Sequence, residues 1–276
     1  MLNQEENLNI KKLYMPIITI TSDWNDRDYY LGALKGRLLN LCNDASLVDL
    51  SHNLDKHNIS QTAYSLRNTY PHFPTGSIHL VCVNSEETPE HPYVAIQYQG
   101  SYFIGTDNGV FSLIMKQQPE VIVRIENIER EAKYQTFPEL NIFAKAAAHI
   151  ANNNNITNLG TSLSELYKLV PIRALIQKGI ITGQVIYMDS HGNVTTNISK
   201  ELFESARQER KFEILVQSNR YQITSINNNY HETAEGEILA LFNASGLLEI
   251  AIYKGKLNEL LHLDINADIR IKFHDN

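Results

Sequence analysis

Short apolar runs, each followed by a polar turn, organise the first half of the chain. The first run, residues 17–20, is rich in β-branched side chains and stops at a polar turn that contains Asp23. Apolar residues then recur at helical spacing, which predicts a strand, a turn and a helix with one face formed by Tyr30, Leu34 and Leu38. A strand followed by a helix is the opening unit of a parallel α/β domain, in which ligands bind at the carboxyl ends of the strands.

The acidic residues of this turn allow two interpretations. Asp23, Asp26 and Asp28 are residue types that commonly form turns and cap helices. Asp23 comes directly after the strand, however, so it also lies where a ligand would bind. The residues alone leave both interpretations open.

The alternation of apolar runs with polar turns and helical stretches continues to about residue 168. We predict strands over five apolar runs and helices over two periodic stretches. The first of these helices has Asn58 as its N-cap, with Gln61 three residues later, and it ends at Pro71. The second helix is predicted over residues 141–151. The strands are predicted at residues 45–50, 77–83, 93–98, 102–105 and 121–125, with a hairpin turn at Gln99-Gly100. Polar turns that follow several strands would converge on one cleft.

The pattern changes near residues 168–182. From Gly183 the apolar segments are short, alternating and separated by turns, which is typical of an antiparallel β domain. We therefore predict an α/β protein of two domains, residues 14–168 with a parallel sheet and residues 180–276 with antiparallel strands.

Composition narrows the classes of function. A formal net charge of -7 and a pI near 5.8 argue against nucleic acid or an anionic membrane as the main partner. No apolar run approaches the ~20 residues of a spanning helix, and the polar residues 1–12 do not read as a secretory signal. The two cysteines, Cys42 and Cys82, are predicted to be small buried residues in a reducing compartment, so we expect a cytoplasmic protein with no metal site.

The strong catalytic motifs are missing from the sequence. It has no glycine-rich dinucleotide fingerprint, no phosphate-binding loop with its lysine, no His-Glu-x-x-His pattern and no Gly-x-Ser-x-Gly turn. Candidate chemistry is confined to the polar turns, and each of these turns taken alone is more simply a turn.

Seven stretches of the sequence, taken together in their order, favour a functional interpretation of these turns. They are TSDWNDRDYYLGALKG, VDLSHNL, AYSLRNTYPHFPTGSIHLV, YFIGTDNGVFSL, TFPELNIFAKAAAHIA, GQVIYMDSHGNVTTNI and NASGLLEIAIYKG. Together they resemble the S-adenosylmethionine (SAM) hydroxide adenosyltransferase family, whose relatives include the SAM-dependent fluorinase and chlorinase. The similarity runs from about Pro16 to the C-terminus.

The resemblance implies a Rossmann-like parallel-sheet domain, a small antiparallel β domain and a homotrimer with its sites at subunit interfaces. It implies SAM or adenosine as the ligand, with no separate cofactor. By position, Asp23 matches the carboxylate that accepts both ribose hydroxyls, Asp189 the partner of the methionine ammonium, and Asn193 the amide that faces adenine. Ser245 stands where halogenases have an arginine for the methionine carboxylate.

The water-activating residues depart from the family pattern. Family hydrolases use an Asp, an Arg seven residues later and a distant His, and these positions hold Asn84, His91 and Pro138 here. We therefore expect an altered water site formed by Asn84, His91 and Glu139. Glu139 falls near the position of the halide-contacting serine, where a carboxylate would repel a halide.

These matches favour hydrolysis of SAM to adenosine and methionine by attack of water at C5′, and they disfavour a halogenase. Two alternatives remain at this point. One is a protein that binds SAM or adenosine without catalysis, and the other is an enzyme that acts on a different adenosyl compound.

Overall fold

The computed structural model describes residues 15–25, 27–55, 58–152, 155–216 and 221–274. Asp26 and the polar leader of residues 1–12 lie outside the described residues. The chain divides into two compact units between Leu169 and Val170.

The first unit is a mixed α/β layer structure. Its strands are β1 Ile17–Ser22, β2 Ser46–Ser51, β3 Ile78–Cys82, β4 Tyr93–Tyr98, β5 Ser101–Thr106, β6 Val121–Ile125 and β7 Gly160–Ser162. Its α-helices are α1 Tyr29–Leu41, α2 Ile59–Arg67, α3 Val110–Ile114 and α4 Ala144–Ala151.

The seven strands of the first unit form one sheet in the order β2-β1-β3-β5-β4-β6-β7. Strands β2, β1, β3 and β5 pair in parallel, whereas β4 pairs antiparallel with both β5 and β6. The predicted parallel α/β class is therefore confirmed for this unit. Because β1, β3 and β5 are parallel neighbours, their carboxyl ends lie at one edge of the sheet.

Apolar burial explains why these elements form. Strand β3 is buried along its whole length, as expected for a central strand covered on both faces. Helix α1 contains Tyr30, Leu34 and Leu38 at the predicted helical spacing, and it buries Leu34 and Leu38 while Tyr30 is 36% exposed. Tyr30 instead packs its ring edge-on to Phe137 at the margin of the core.

Two helix boundaries differ from the sequence prediction. The Asn58 cap is confirmed, since its side chain accepts the N–H of Gln61 at 3.0 Å. Helix α2 nevertheless ends at Arg67 rather than near Pro71, because the Asn68 amide and the Thr69 hydroxyl donate back to carbonyls of the last turn. Pro71 falls in a separate 3₁₀ turn, Tyr70–His72.

The second helix starts earlier than predicted. A π-helical turn, Glu139–Phe143, precedes α4, and Pro138 stands at its N-terminus. The N–H of Ala144 donates to the Glu139 carbonyl, which gives the wider i to i+5 spacing.

The second unit is an antiparallel β structure, as the short alternating segments predicted. Its strands are β8 Leu175–Gln177, β9 Ile180–Met188, β10 Val194–Ser199, β11 Lys211–Val216, β12 Gln222–Ile223, β13 Ile238–Phe242, β14 Leu247–Ile252 and β15 Asp268–His274. They pair antiparallel in the order β12-β11-β15-β9-β10-β14-β13, with β8 added on β9. Two short helices, α5 Lys200–Arg207 and α6 Leu257–Leu261, cover its core.

Both cysteines are buried, as expected. Among the described residues, no helix combines the length and the apolar character that crossing a membrane would require.

Candidate functional site

The polar turns that follow β1, β3 and β5 lie at one edge of the sheet in the first unit. Asp23 follows β1, Asn84 follows β3 by two residues, and Asp107 follows β5. Parallel pairing of these strands brings the three turns side by side. Sequence reasoning placed a cleft at this edge from the strand pattern alone.

Asp23 is tied to the neighbouring strand. Its N–H donates to the Cys82 carbonyl at 3.4 Å, and its Oδ2 accepts the N–H of Asn84 at 2.9 Å. Asn84 has a left-handed φ of 47°, a conformation that Asn tolerates and that aims its N–H at the carboxylate. Asp23 is half-buried, so a ligand can reach it. Asp28, by contrast, occupies the N-cap position of α1 without accepting a bond from the helix.

Glu139 is a buried carboxyl beside Asp23. Its side chain is only 3% exposed, and burial raises its pKa to about 7, with a further raising contribution from the negative charge of Asp23. The nearby Ser85 hydroxyl and the backbone N–H of Glu139 act in the opposite direction and lower this pKa. A carboxyl group with such a pKa changes its charge near neutral pH, which is the property of a general base.

An aromatic cluster explains how Asp23 and Glu139 come together. Trp24 contacts Phe137 edge-on at 5.6 Å between ring centroids, and Tyr30 contacts Phe137 at 5.2 Å. The residue after Asp23 thus packs against a residue just before Glu139. Sequence reasoning missed this cluster, although the aromatic neighbours of both acids were a visible signal.

His91 precedes β4, and its ring lies against the residue that follows β5, where its environment sets its tautomer. The ring is half-buried, its Nδ1 lies 3.0 Å from the Asp107 carbonyl, and it meets Tyr167 edge-on at 4.5 Å. Because a carbonyl only accepts, Nδ1 must carry the proton, so the neutral ring presents a bare Nε2. That nitrogen can accept a proton or a hydrogen bond.

Asp107 anchors the same corner. Its side chain is 3% exposed, and burial raises its pKa. The Tyr167 N–H, which it accepts at 2.9 Å, and the positive charge of a protonated His91 act in the opposite direction. Sequence reasoning counted its turn among the polar turns that converge on the cleft, but gave Asp107 itself no role. A single Asp directly after an apolar strand was the available signal.

Three further acids, in the loop that follows β3, are less suited to catalysis. Glu86 and Glu90 are exposed, and Glu87 forms an ion pair with Arg130 at 2.7 Å. Pro138 stands where the family histidine is expected and starts the π turn rather than offering a titratable group.

In the second unit, Asp189 and Asn193 are in direct contact at the tip of the β9–β10 hairpin. Asp189 Oδ1 accepts the N–H groups of His191 and Asn193, each at 2.9 Å. Its Oδ2 accepts the Asn193 side-chain amide at 3.0 Å, a bond that does not use the Asn193 side-chain oxygen. These bonds also satisfy the turn itself, so the geometry is compatible with both a turn and a ligand site.

Ser245 belongs to a polar network formed by the β13–β14 turn and strand β14. Its hydroxyl donates to Asn243 Oδ1 at 2.6 Å, and the Asn243 amide donates to Glu249 at 3.0 Å. Tyr230 donates to the other oxygen of Glu249, and burial, this bond and the charge of Asp189 all raise the pKa of Tyr230. Glu249 is 7% exposed; a lone acid in the apolar run LLEIAI was the signal that sequence reasoning passed over.

Comparisons with known proteins match both units. The family model of the SAM hydroxide adenosyltransferase N-terminal domain matches residues 18–160, and that of the C-terminal domain matches residues 183–270. Together they cover most of the chain.

Named relatives and a solved structure agree with these matches. An (R)-S-adenosyl-L-methionine hydrolase of Methanocaldococcus jannaschii is 28% identical, over 93% of this chain and 96% of its own length. A fluorinase of Actinopolyspora mzabensis is 24% identical, over 69% of this chain and 74% of its own length. The crystal structure of an uncharacterized conserved protein from Thermotoga maritima has the same fold, with a TM-score of 0.82 and 23% identity over 93% of this chain and 99% of that protein.

Proposed function

This chain belongs to the SAM hydroxide adenosyltransferase family, and from that premise we propose that it hydrolyses SAM to adenosine and methionine. The hydrolase of M. jannaschii is similar over nearly the whole chain, whereas the fluorinase match covers about two thirds of it, which supports water rather than halide as the nucleophile. The reaction exchanges a C–S bond for a C–O bond without net oxidation. SAM is therefore the substrate, and the proposal includes no separate cofactor.

The binding half of the proposal rests on four residues. Asp23 holds the ribose hydroxyls, since an ionised carboxylate accepts two hydrogen bonds at once. Asp189 pairs with the methionine ammonium and Asn193 faces adenine with its side-chain oxygen, which the bond to Asp189 does not use. Ser245 contributes at the methionine carboxylate once its hydroxyl turns from Asn243.

The observation that carries the chemistry is Glu139. It is a buried carboxyl group with a pKa of about 7, next to the carboxylate that we assign to the ribose. A base is most effective when its pKa is close to the working pH, because it is then deprotonated often and still accepts a proton readily. Asn84 stands in place of the family aspartate and cannot act as a base, so Glu139 takes that role.

The proposed step balances as follows. A water molecule held about 3–3.5 Å from C5′ and in line with the C5′–S bond attacks that carbon. The electron pair of the C–S bond stays on sulfur, so methionine leaves as a neutral thioether and no general acid is needed. Glu139 takes the proton of the water. The cationic sulfonium of bound SAM favours the ionised form of Glu139, which prepares the base for this step.

Asn84 and His91 complete the altered water site in this proposal. The Asn84 amide is exposed at the end of β3 and can hydrogen-bond the water, while the bare Nε2 of His91 accepts a second bond from it. Neither needs to be the base. The same carboxylate at position 139 disfavours halogenation, because like charges ~4 Å apart at a partly buried site repel by roughly 4 kcal/mol.

The proposal is tested by incubating the protein with SAM and quantifying adenosine and methionine by chromatography. Wild type should form both products in equal amounts, and Glu139→Gln should form at least about a hundredfold less, since general bases contribute typically 10²–10⁴-fold. The exposed Glu86→Gln variant, from the same edge of the sheet, should keep wild-type turnover. Equal turnover in wild type and Glu139→Gln would remove Glu139 from the mechanism.

A catalytically silent SAM or adenosine binder is the second candidate. It is favoured by the residues at the three family triad positions, Asn84, His91 and Pro138, none of which is the expected type. SAM binding measured by calorimetry, with no adenosine above the buffer control, would establish the binder and reject the hydrolase.

We also propose a homotrimer in the cytoplasm, as the family resemblance implies, with sites that draw on two subunits. Light scattering coupled to size-exclusion chromatography tests the assembly. A mass near 31.5 kDa, that of one chain, would contradict it.

A further inference from the structure

One residue, His52, holds both ends of the turn that carries Asp23. The Ser22 hydroxyl lies 2.8 Å from His52 Nδ1, and the His52 carbonyl accepts the N–H of Asn25 at 2.6 Å. Ser22 and Asn25 are the residues on either side of Asp23-Trp24. His52 itself follows β2, the strand next to β1 in the sheet.

The imidazole is oriented by an acid on the same strand. Its Nε2 lies 3.2 Å from Asp49 Oδ1, off the line of a well-directed hydrogen bond, and Lys35 donates to the other oxygen of Asp49. Burial raises the pKa of Asp49, but the bond from Lys35 and the proximity of His52 outweigh burial and leave that pKa below its usual value. An ionised Asp49 only accepts, so the proton of the neutral ring is on Nε2, and Nδ1 accepts the Ser22 hydroxyl.

The turn has other contacts at Asp23 and Asn25, but His52 is bonded to residues on both sides of Asp23-Trp24. Ser22 is fully buried, so its hydroxyl has no water to turn to if the imidazole is removed. Asn25 adopts a left-handed φ of 60°, which the bond to the His52 carbonyl helps to hold. Asp23 lies between these two fixed points.

We propose that His52 is a positioning residue that fixes the direction of the Asp23 carboxylate for a nucleoside ribose. The inference rests on the proposed function, since it concerns the same ligand. The His52 side chain acts through Ser22, whereas the bond from its backbone carbonyl to Asn25 does not depend on the side chain at position 52. The side chain positions the turn and takes no part in the proposed reaction. Its loss should therefore weaken ligand binding far more than it slows the chemical step.

The experiment compares His52→Ala with His52→Asn in the full-length protein. Adenosine affinity is measured by calorimetry, and kcat and KM are measured for SAM. His52→Ala should lose about tenfold or more in adenosine affinity, which is about 1.4 kcal/mol, and raise KM by a similar factor while kcat stays within about threefold of wild type. His52→Asn should recover most of the affinity, because its side-chain oxygen can accept the Ser22 hydroxyl in place of Nδ1.

A double-mutant cycle assigns the effect to the Ser22 bond. Ser22→Ala should weaken adenosine binding, and the Ser22→Ala/His52→Ala double variant should bind about as tightly as His52→Ala alone. Fully additive losses would overturn the role of the hydroxyl–imidazole bond. Thermal melting of each variant shows whether it is folded. If His52→Ala fails to fold, the comparison uses His52→Asn, and the double-mutant cycle combines Ser22→Ala with His52→Asn.

The outcomes separate this inference from the proposed function. Wild-type adenosine binding with unchanged affinity in His52→Ala overturns the positioning role alone, and so does a fall in kcat without a change in KM. No adenosine binding by wild type removes the nucleoside site, and the positioning role with it.

Discussion

Replacing Glu139 by Gln should stabilise the first unit at high pH while it abolishes the proposed hydrolysis. Gln has nearly the same shape as a protonated Glu but cannot ionise. Folding raises the pKa of Glu139 from 4.5 to about 7 because burial penalises its charge. At 1.36 kcal/mol per pKa unit, the ionised carboxylate destabilises the folded state by up to about 3 kcal/mol.

The sign of the pH dependence follows from which state holds the proton. Below about pH 4.5 the carboxyl group is protonated in both states, so wild type and Glu139→Gln should have similar stability. Between about pH 4.5 and 7 the unfolded chain has released the proton and the folded chain retains it, so this group lowers wild-type stability as the pH rises. Above pH 7 the full penalty applies, and the advantage of Gln should reach its maximum.

The assay is urea unfolding at pH 5, 6, 7 and 8. The midpoint urea concentration and the slope of unfolding free energy against urea are compared at each pH. Trp24 is the only tryptophan of the chain, and it packs against Phe137, two residues before Glu139. Its fluorescence therefore reports on this unit. The difference in unfolding free energy between Glu139→Gln and wild type should grow with pH toward about 3 kcal/mol.

The matched control is Glu86→Gln, because Glu86 is exposed and its charge carries no burial penalty. Its stability relative to wild type should stay nearly constant with pH. The reasoning is refuted if the advantage of Glu139→Gln does not grow between pH 5 and 8, or if this variant is less stable than wild type at pH 8.

Three further predictions concern other parts of the first unit. Asp23→Asn should lose most adenosine affinity in calorimetry, because an amide cannot accept two ribose hydroxyls as a carboxylate does; wild-type affinity would remove Asp23 from the site. Asn58→Ala should lower the urea-unfolding free energy by about 1 kcal/mol through loss of the cap bond to Gln61, and an unchanged value would show the cap to be dispensable. Gly105→Ala should cost about 1–3 kcal/mol in the same assay, since its new Cβ would lie 2.9 Å from the Val81 carbonyl oxygen; a neutral result would mean that β3 and β5 can separate.

The stability and function of Glu139 are therefore expected to oppose each other. A buried ionisable group costs folding energy, and a site retains it when the shifted pKa is useful. In this chain, the same burial that destabilises the ionised carboxylate brings its pKa to the working pH of a general base.

The sequence determined the elements whose signals are local. Apolar runs at strand length, the Asn58 cap with Gln61 and the turn at Gln99-Gly100 each depend on a few adjacent residues, and the structure has all three. The change from long βα spacing to short alternating segments likewise predicted the antiparallel second unit. The end of helix α2 was misplaced, because backward bonds from Asn68 and Thr69 compete with the signal of Pro71.

Only the tertiary structure decided which polar residues have unusual properties. Glu139 stands in a sequence stretch that fits an exposed acid equally well. The fold buries its side chain near Asp23, and this burial raises its pKa. In the sequence, His52 is one residue of a polar turn. In the structure, β2 pairs with β1, and this pairing brings the His52 ring to Ser22. Burial, pKa and hydrogen-bond partner are set by residues far apart in the chain, so composition and spacing could name the acids and histidines but not assign their chemistry.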